Sequence, residues 1–247
     1  MKCINYAHRG FSGEYPENTM IAFEKAVEAG CEGIELDVHF TKDGKLVIIH
    51  DEDIKRTGNR SGLVKDMTYD ELCSVDFSGK FTEKTGFCRI PLLKEYLEYI
   101  RDKNIITNIE LKTGVYEYRG IEKEVYELLR RYHLRDKVII SSFNHNSVMR
   151  MKEIDSDIKC GFLSETWIIN TGKYVKENHI EAYHPMFRML TDEEVKNLRD
   201  YGIEINTWTV NTKEDILHMI DLEVEGIISN YPDLTGRILK EKGLRKV

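Results

Sequence analysis

Short apolar runs alternate with amphipathic segments along nearly the whole chain. The apolar runs are rich in isoleucine, valine and leucine and end at polar or turn residues, which is typical of strands. Eight segments have this character and are predicted strands: Ile4–His8, Gly33–Asp37, Ile105–Leu111, Lys137–Ser142, Lys159–Leu163, Glu181–His184, Ile203–Thr209 and Gly226–Ser229.

The segments between these strands carry apolar residues three and four positions apart, which is the spacing of one helix face. Thr19–Ala29 is one predicted helix, and Thr191 with Glu194 forms a helix-starting pattern later in the chain. Eight strand–helix repeats in 247 residues predict an α/β protein with a (β/α)8 TIM barrel fold. An open, doubly wound sheet uses the same alternation and is the alternative fold.

Residues 38–90 interrupt the alternation of strands and helices, because they contain no long amphipathic helix. Thr41–Lys45 followed by Leu46–His50 predicts a hairpin, and Met67–Val75 predicts a short helix. We therefore expect a small insertion after strand 2, at about residues 38–90, that forms a cap beside the barrel mouth. Since the chain has no Pro/Gly/Ser-rich linker, residues 1–247 are predicted to form a single domain.

Composition and charge narrow the class of partner. Hydrophobic residues make up 41% of the chain and charged residues 32%, which allows a large core and argues against disorder. The formal net charge of -7 is spread along the chain with no basic stripe, which argues against nucleic acid as a partner. A small anionic substrate would need positive charge from a metal, an arginine or a lysine.

The cysteines and the first residues of the chain bear on its location. None of the five cysteines is two residues from another, so zinc-ribbon spacing is absent, and the odd number suits reduced cytosolic thiols. The chain begins without the apolar run of a signal peptide, and no apolar stretch is long enough to span a bilayer. We expect a cytoplasmic protein without stable membrane insertion; no pattern in the sequence predicts its oligomeric state.

Three carboxylates stand at the ends of predicted strands. Glu35 and Asp37 are two residues apart and therefore face the same way, and Glu110 has the same spacing from Lys112. In a barrel the carboxyl ends of the strands converge on one mouth. Three carboxylates there would repel one another unless a cation joins them, and oxygen ligands favour Mg2+ or Ca2+ over zinc. For each residue alone, a helix cap or a loop salt bridge is the alternative.

Two histidines each end an apolar run. His8 closes the first predicted strand, and His50 closes the predicted hairpin. Imidazole titrates near neutral pH, so the two can act as acid and base, although a single histidine at a strand end is more often structural. Arg9 offers a guanidinium that can grip two phosphate oxygens. Glu17 is expected to orient Arg9, and an ion pair of Arg9 with Glu17 or Asp51 made only for stability is the alternative.

Lys112 and Trp208 complete the candidate substrate contacts. Lys112 provides a second positive group on the face of Glu110. Trp208 ends the seventh predicted strand, where its ring can pack against the carbon skeleton of a small alcohol. Packing between the barrel and a helix is the alternative for this tryptophan.

The chain resembles the glycerophosphodiester phosphodiesterase family in an ordered set of segments across almost its full length. Ser229 stands where the family usually has threonine, and a hydroxyl is retained. The resemblance implies a TIM barrel with a small insertion after strand 2. The matching segments are His8-Arg9-Gly10, Pro16-Glu17-Asn18-Thr19, Glu35-Leu36-Asp37-Val38, His50-Asp51 with Arg56-Thr57, Ile90-Pro91, Ile109-Glu110-Leu111-Lys112, Trp208-Thr209-Val210-Asn211 and Gly226-Ile227-Ile228-Ser229-Asn230-Tyr231-Pro232-Asp233.

The resemblance also implies roles for individual residues. The implied metal ligands are Glu35, Asp37 and Glu110, the acid–base pair is His8 and His50, and the phosphate contacts are Arg9 and Lys112. The predicted activity is metal-dependent hydrolysis of a small glycerophosphodiester to glycerol 3-phosphate and an alcohol such as choline or ethanolamine.

Two alternatives to this activity remain open at the level of sequence. The first is lysophospholipase D-type action on lysophospholipids, which would need an apolar groove or patch. The second is a non-catalytic barrel that binds phosphorylated metabolites. The insertion carries apolar residues that suit either such a patch or a core of its own: Met67, Leu72, Val75, Phe77 and Phe81.

Overall fold

Eight parallel strands close into a barrel in the computed structural model, which describes residues 3–244. A ninth strand, β3, pairs antiparallel with β2 outside the barrel. The strands are β1 (Ile4–His8), β2 (Gly33–Phe40), β3 (Leu46–Ile48), β4 (Ile106–Leu111), β5 (Val138–Ser142), β6 (Cys160–Ser164), β7 (Ala182–Pro185), β8 (Glu204–Thr207) and β9 (Gly226–Ser229).

Helices follow the barrel strands and surround them. Short 3-10 turns lie at Val64–Asp66, Gly79–Phe81, Arg135–Lys137 and Phe187–Met189. The α-helices are α1 (Met20–Glu28), α2 (Tyr69–Cys73), α3 (Thr82–Thr85), α4 (Leu93–Ile100), α5 (Ile121–Tyr132), α6 (His145–Ile154), α7 (Thr171–Glu177), α8 (Asp192–Asp200), α9 (Lys213–Asp221) and α10 (Pro232–Glu241).

The barrel is closed by β1, which pairs in parallel with both β2 and β9. The strand order β1-β9-β8-β7-β6-β5-β4-β2 accounts for all eight predicted strands. The predicted (β/α)8 barrel is therefore confirmed, and the open doubly wound sheet is wrong. Helix starts follow local capping: the Thr19 hydroxyl accepts from the Ala22 N–H before α1, and Thr191 does the same for Glu194 before α8.

A small apolar group around Tyr6, Ile139 and Ile228 lies inside the barrel. Two glycines make room for the Tyr6 ring. A Cβ on Gly33 would lie 2.2 Å from a ring carbon of Tyr6, and one on Gly226 would lie 2.8 Å from another. The larger apolar core lies between the outer faces of the strands and the helices, so the barrel is a rigid frame for its carboxyl-end loops.

Residues 41–92, between β2 and α4, form what we call the cap. The chain leaves β2, turns at residues 41–45 and returns as β3, so the predicted hairpin is present, and α2 lies within the predicted short helix. The cap has its own apolar cluster, to which Leu72, Val75 and Phe77 belong and against which Met67 packs. Most of the apolar residues considered for a lipid groove are therefore core residues of the cap.

The single-domain assignment for residues 1–247 stays a prediction, and residues 1–2 and 245–247 lie outside the described part. Within residues 3–244, no helix combines the length and the apolar character needed to cross a bilayer.

Candidate active site

The register of three neighbouring strands brings the predicted site residues to one end of the barrel. His8 on β1 lies beside Glu35 on β2, and Asp37 lies beside Glu110 on β4. These residues are at or near the carboxyl ends of their strands, where barrel enzymes build their active sites. The predicted convergence of residues far apart in the sequence is therefore present.

The three carboxylates form a compact, buried cluster. Glu35, Asp37 and Glu110 each offer an oxygen, and these oxygens lie within 4.8 Å of one another. The three residues are 4%, 1% and 7% exposed. The Asn18 side-chain amide donates to Asp37 Oδ2 at 2.8 Å, whereas the buried Asp37 Oδ1 has no hydrogen-bond partner. An unshared carboxylate oxygen inside an acidic cluster is what a hard divalent cation would coordinate.

Two basic side chains border this cluster. Lys112 Nζ lies 2.8 Å from Glu110 Oε1 and 3.8 Å from Asp37 Oδ1. Arg9 Nε lies 3.4 Å from Asp37 Oδ2, and the Arg9 backbone N–H donates to Glu35 Oε2 at 3.0 Å. Arg9 adopts φ 55°, in the left-handed region that non-glycine residues avoid. Such strain is concentrated at functional sites.

Burial and mutual repulsion split the ionisation of the carboxylates. Burial, together with the neighbouring Asp37 charge, raises the pKa of Glu35 well above its ordinary value. Burial also raises the pKa of Glu110 to about 7, against the opposing pull of Lys112. Burial would raise the pKa of Asp37 too, but the charges of Arg9 and Lys112 outweigh it and hold that pKa well below its usual range. In the absence of a cation, Asp37 is thus held ionised, whereas burial opposes the ionisation of Glu35 and Glu110. A bound divalent cation would favour the ionised form of all three carboxylates.

His8 is held by the barrel frame. Its Nδ1 lies 2.6 Å from Asn230 Oδ1, and that amide oxygen also accepts from the Ser12 hydroxyl at 3.0 Å. Its Nε2 lies 3.9 Å from Glu35 Oε2. An amide oxygen can only accept, so the bond assigns the proton of a neutral His8 ring to Nδ1 and leaves Nε2 free. Burial, followed by the Arg9 charge, lowers the pKa of His8 to about 3.

His50 is held by the cap. Its Nδ1 lies 2.6 Å from Asp51 Oδ1, and its backbone carbonyl accepts from His39 Nε2 at 3.0 Å. The carboxylate assigns the Nδ1 proton in the same way, so Nε2 is again free. Burial lowers the pKa of His50, while the Asp37 charge opposes that shift. The backbone N–H of Ile49, the residue before His50, donates to the Asp37 carbonyl at 3.0 Å, which brings the chain at His50 to the part of β2 that carries the carboxylates.

Glu17 and Trp208 lie next to the site in different ways. Glu17 Oε1 accepts from Arg9 Nη1 at 2.8 Å, so the predicted orientation of Arg9 by Glu17 is present in the geometry. Trp208 packs against the apolar group inside the barrel, and its Nε1 donates to the His184 carbonyl at 2.8 Å. Phe143 meets its ring edge-on, with 5.5 Å between ring centroids. Trp208 therefore forms part of the wall of the mouth.

Sequence reasoning did not predict the contacts through which four residues organise the site. Asn18 binds Asp37, Asn230 binds His8, Asp51 binds His50, and Arg56 binds both Asp51 and Glu17. Each of the four belongs to one of the segments that match the family, and this membership was the feature of the sequence that could have indicated a role in the site. Asn18 also has a left-handed backbone conformation, with φ 57°, in which asparagine occurs more often than most other non-glycine residues.

Comparisons with known proteins agree with this geometry. A model of the glycerophosphoryl diester phosphodiesterase family matches residues 8–234. A glycerophosphodiester phosphodiesterase from Bacillus altitudinis is 43% identical over 239 residues, which are 96% of this chain and 98% of that protein. One from Caldanaerobacter subterraneus subsp. tengcongensis is 40% identical over 243 residues, with 98% and 100% covered. A solved phosphodiesterase from Oleispira antarctica, in complex with the product sn-glycerol-3-phosphate, has a TM-score of 0.87 at 26% identity, covering 95% of this chain and 96% of that one.

Proposed function

The chain belongs to the glycerophosphoryl diester phosphodiesterase family, and from that premise we propose that it hydrolyses small glycerophosphodiesters to glycerol 3-phosphate and an alcohol. It is a phosphoric diester hydrolase, like its named relatives. The observation that carries the proposal is the meeting of three buried carboxylates, two imidazoles and two basic side chains at one barrel mouth.

The carboxylate cluster fits a divalent metal ion. Glu35, Asp37 and Glu110 would hold Mg2+ or Ca2+, because their oxygens are close together and one of them is without a partner. When bound, such an ion neutralises phosphate charge and acts as a Lewis acid.

Arg9 and Lys112 are placed to offset the negative charge of the diester. Both border the carboxylate cluster, and both have raised pKa values because the surrounding carboxylates outweigh the opposing effect of burial. They therefore remain cationic when a phosphate enters. Arg9 can donate two parallel hydrogen bonds to phosphate oxygens, and Lys112 acts as a point charge.

His8 and His50 supply the proton transfers. Each ring has its Nδ1 engaged and its Nε2 free, so each can exchange a proton with a substrate oxygen. One ring removes the proton from the nucleophile, and the other protonates the leaving alcohol. Asp51 stabilises a protonated His50 in a way that the neutral Asn230 amide does not offer to His8.

The test is a substrate panel scored by release of glycerol 3-phosphate. Glycerophosphocholine, glycerophosphoethanolamine and lysophosphatidylcholine are each assayed with Mg2+, with Ca2+ and with EDTA. We expect turnover of the two small diesters with a divalent ion and its loss in EDTA. Turnover of the micellar substrate alone, detected as choline release, would favour the lysophospholipase D-type alternative. Binding of the diesters without turnover under any condition would favour the non-catalytic barrel.

A further inference from the structure

Arg56 is a residue of the site to which the proposed reaction chemistry gives no role. It lies in the cap, six residues after His50, and its side chain is 47% exposed. Unlike Arg9, it does not border the carboxylate cluster. Its guanidinium instead contacts two carboxylates that belong to different parts of the molecule, Asp51 of the cap and Glu17 of the loop between β1 and α1.

Both of these contacts are bidentate, with two hydrogen bonds to each carboxylate. Arg56 Nε donates to Asp51 Oδ2 at 2.6 Å, and Nη2 donates to Asp51 Oδ1 at 3.1 Å. On its other side, Nη1 donates to Glu17 Oε2 at 2.7 Å, and Nη2 donates to Glu17 Oε1 at 2.8 Å. Only a planar guanidinium can satisfy two carboxylates in this way, because a lysine ammonium is a single point of charge.

The two carboxylates lead to the two sides of the active site. Asp51 accepts from His50 Nδ1, and Glu17 accepts from Arg9, whose Nε faces Asp37. The result is a continuous line of alternating charges from the carboxylate cluster through the first loop to the cap. Its members in order are Asp37, Arg9, Glu17, Arg56, Asp51 and His50.

We propose that Arg56 is a positioning residue, which orients Asp51 and through it the His50 ring while fastening the cap to the β1–α1 loop at Glu17. This inference rests on the proposed function, in which His50 exchanges a proton with the substrate. His50 is delivered by the cap rather than by a barrel strand, so its distance from the substrate depends on how firmly the cap is fastened. A misplacement of about 1 Å can cost roughly 100-fold in rate.

The ionisation of Asp51 supports this arrangement. Burial alone would raise its pKa, but hydrogen bonds from Arg56 and His50 outweigh burial and lower the pKa to about 2. The carboxylate that orients His50 is therefore charged throughout the range in which a neutral-pH hydrolase works.

The cap offers a matched control for Arg56. Arg89 is 45% exposed and also makes a bidentate contact with one carboxylate, donating to Glu95 Oε2 at 2.9 Å and to Oε1 at 2.6 Å. It ties the end of the cap to α4 but does not contact Asp51, Glu17 or either catalytic histidine. Arg89→Ala thus removes a comparable ion pair and leaves the proposed chain of contacts intact.

The experiment measures kcat and KM for glycerophosphocholine in the full-length metal-loaded enzyme. We expect Arg56→Ala to lower kcat by about 10- to 100-fold with little change in KM, as for other residues that orient a catalytic group. Arg56→Lys should recover only part of the loss, and added methylguanidinium should raise kcat of Arg56→Ala, since the site is half exposed. Arg89→Ala should keep kcat within about twofold of wild type, because exposed ion pairs contribute little.

A double-mutant cycle shows whether Arg56 acts through Asp51. If it does, adding Arg56→Ala to Asp51→Asn should produce little further loss in kcat. Three results would each overturn the positioning role: an Arg56→Ala enzyme no slower than Arg89→Ala, a loss confined to KM, or fully additive losses in the cycle. An inactive wild type would instead contradict the proposed function, so the two failures are distinguishable.

Discussion

The two histidines proposed to be catalytic are held by two regions of the molecule in different ways. His8 ends β1, its side chain is 14% exposed, and its ring is fixed by the neutral amide of Asn230 just after β9. His50 follows β3 in the cap, its side chain is 29% exposed, and its ring is fixed by the Asp51 carboxylate. One ring is thus part of the barrel frame, and the other is brought to the site by an insertion.

The two sides of the site thus differ in the kind of interaction that positions the ring. Neutral hydrogen bonds position His8, and ion pairs position His50. The Asn230 backbone N–H donates to Asn211 Oδ1 at 2.9 Å, so the His8 side is held by neutral hydrogen bonds between adjacent barrel loops. The His50 side depends on ion pairs of Arg56 with Asp51 and Glu17 that are partly open to solvent. Partly exposed ion pairs weaken with salt and with protonation, whereas buried neutral bonds do not. We therefore expect the cap side to be the more sensitive of the two to solution conditions.

The largest effect should come from removing either ring. His8→Ala and His50→Ala are each expected to lower kcat by about 100-fold or more, since a positioned acid or base contributes that much. Steady-state kinetics on glycerophosphocholine with saturating metal ion measures the loss, and circular dichroism checks the fold. Near-wild-type turnover in either variant would show that this residue is not an acid or base of the reaction. The contrast between two differently held catalytic rings would then no longer apply.

A smaller effect should separate the partners of the two rings. Asp51→Asn is expected to lower kcat by about 100-fold at most, because it removes the charge that stabilises a protonated His50 and its orientation. Asn230→Ala is expected to cost only about 10-fold, because the buried His8 ring keeps its packing and loses one neutral hydrogen bond. Both values come from kcat at the pH optimum of the wild type. A larger loss for Asn230→Ala than for Asp51→Asn would reverse the proposed difference between the two sides.

The barrel strands and the carboxylate cluster could largely be predicted from sequence, because short stretches of sequence determine them. Each strand is an apolar run, and alternation along a strand fixes that Glu35 and Asp37 share a face. Once the barrel is assumed, neighbouring strands place Asp37 beside Glu110. The carboxylate cluster therefore follows from spacing together with topology.

The contacts that hold the two rings do not follow from spacing. The His8–Asn230 bond joins residues 222 positions apart and exists only because β1 closes against β9. The Arg56–Glu17 contact joins the cap to the first barrel loop across 39 positions, and the irregular path of the cap sets it. The sequence alone left open an ion pair between Arg9 and Asp51. In the structure, Asp51 instead accepts hydrogen bonds from Arg56 and His50. Local patterns in the cap contain no periodicity from which such a path could be derived.

The smallest effect concerns stability and pH. The folded pKa of Asp51, about 2, lies below its unfolded value of about 3.9. A depressed pKa means that the ionised carboxylate stabilises the fold above about pH 4, and that this contribution is lost as pH falls towards 2. Arg56→Ala should therefore reduce the free energy of unfolding more at pH 6 than at pH 3.5. The difference should stay below about 1 kcal/mol, because the ion pair is partly exposed and screened.

Urea unfolding of the wild type, Arg56→Ala and Asn230→Ala at the two pH values measures this contrast between the cap and the barrel. Asn230→Ala serves as the control, because the bond it removes involves no carboxylate and its penalty should change less between pH 6 and pH 3.5 than the penalty of Arg56→Ala. A pH-independent penalty for Arg56→Ala would show that the cap is held by packing in its own apolar cluster rather than by its ion pairs. The two histidines would then be held by the same kind of force, and the greater sensitivity expected of the cap side would disappear.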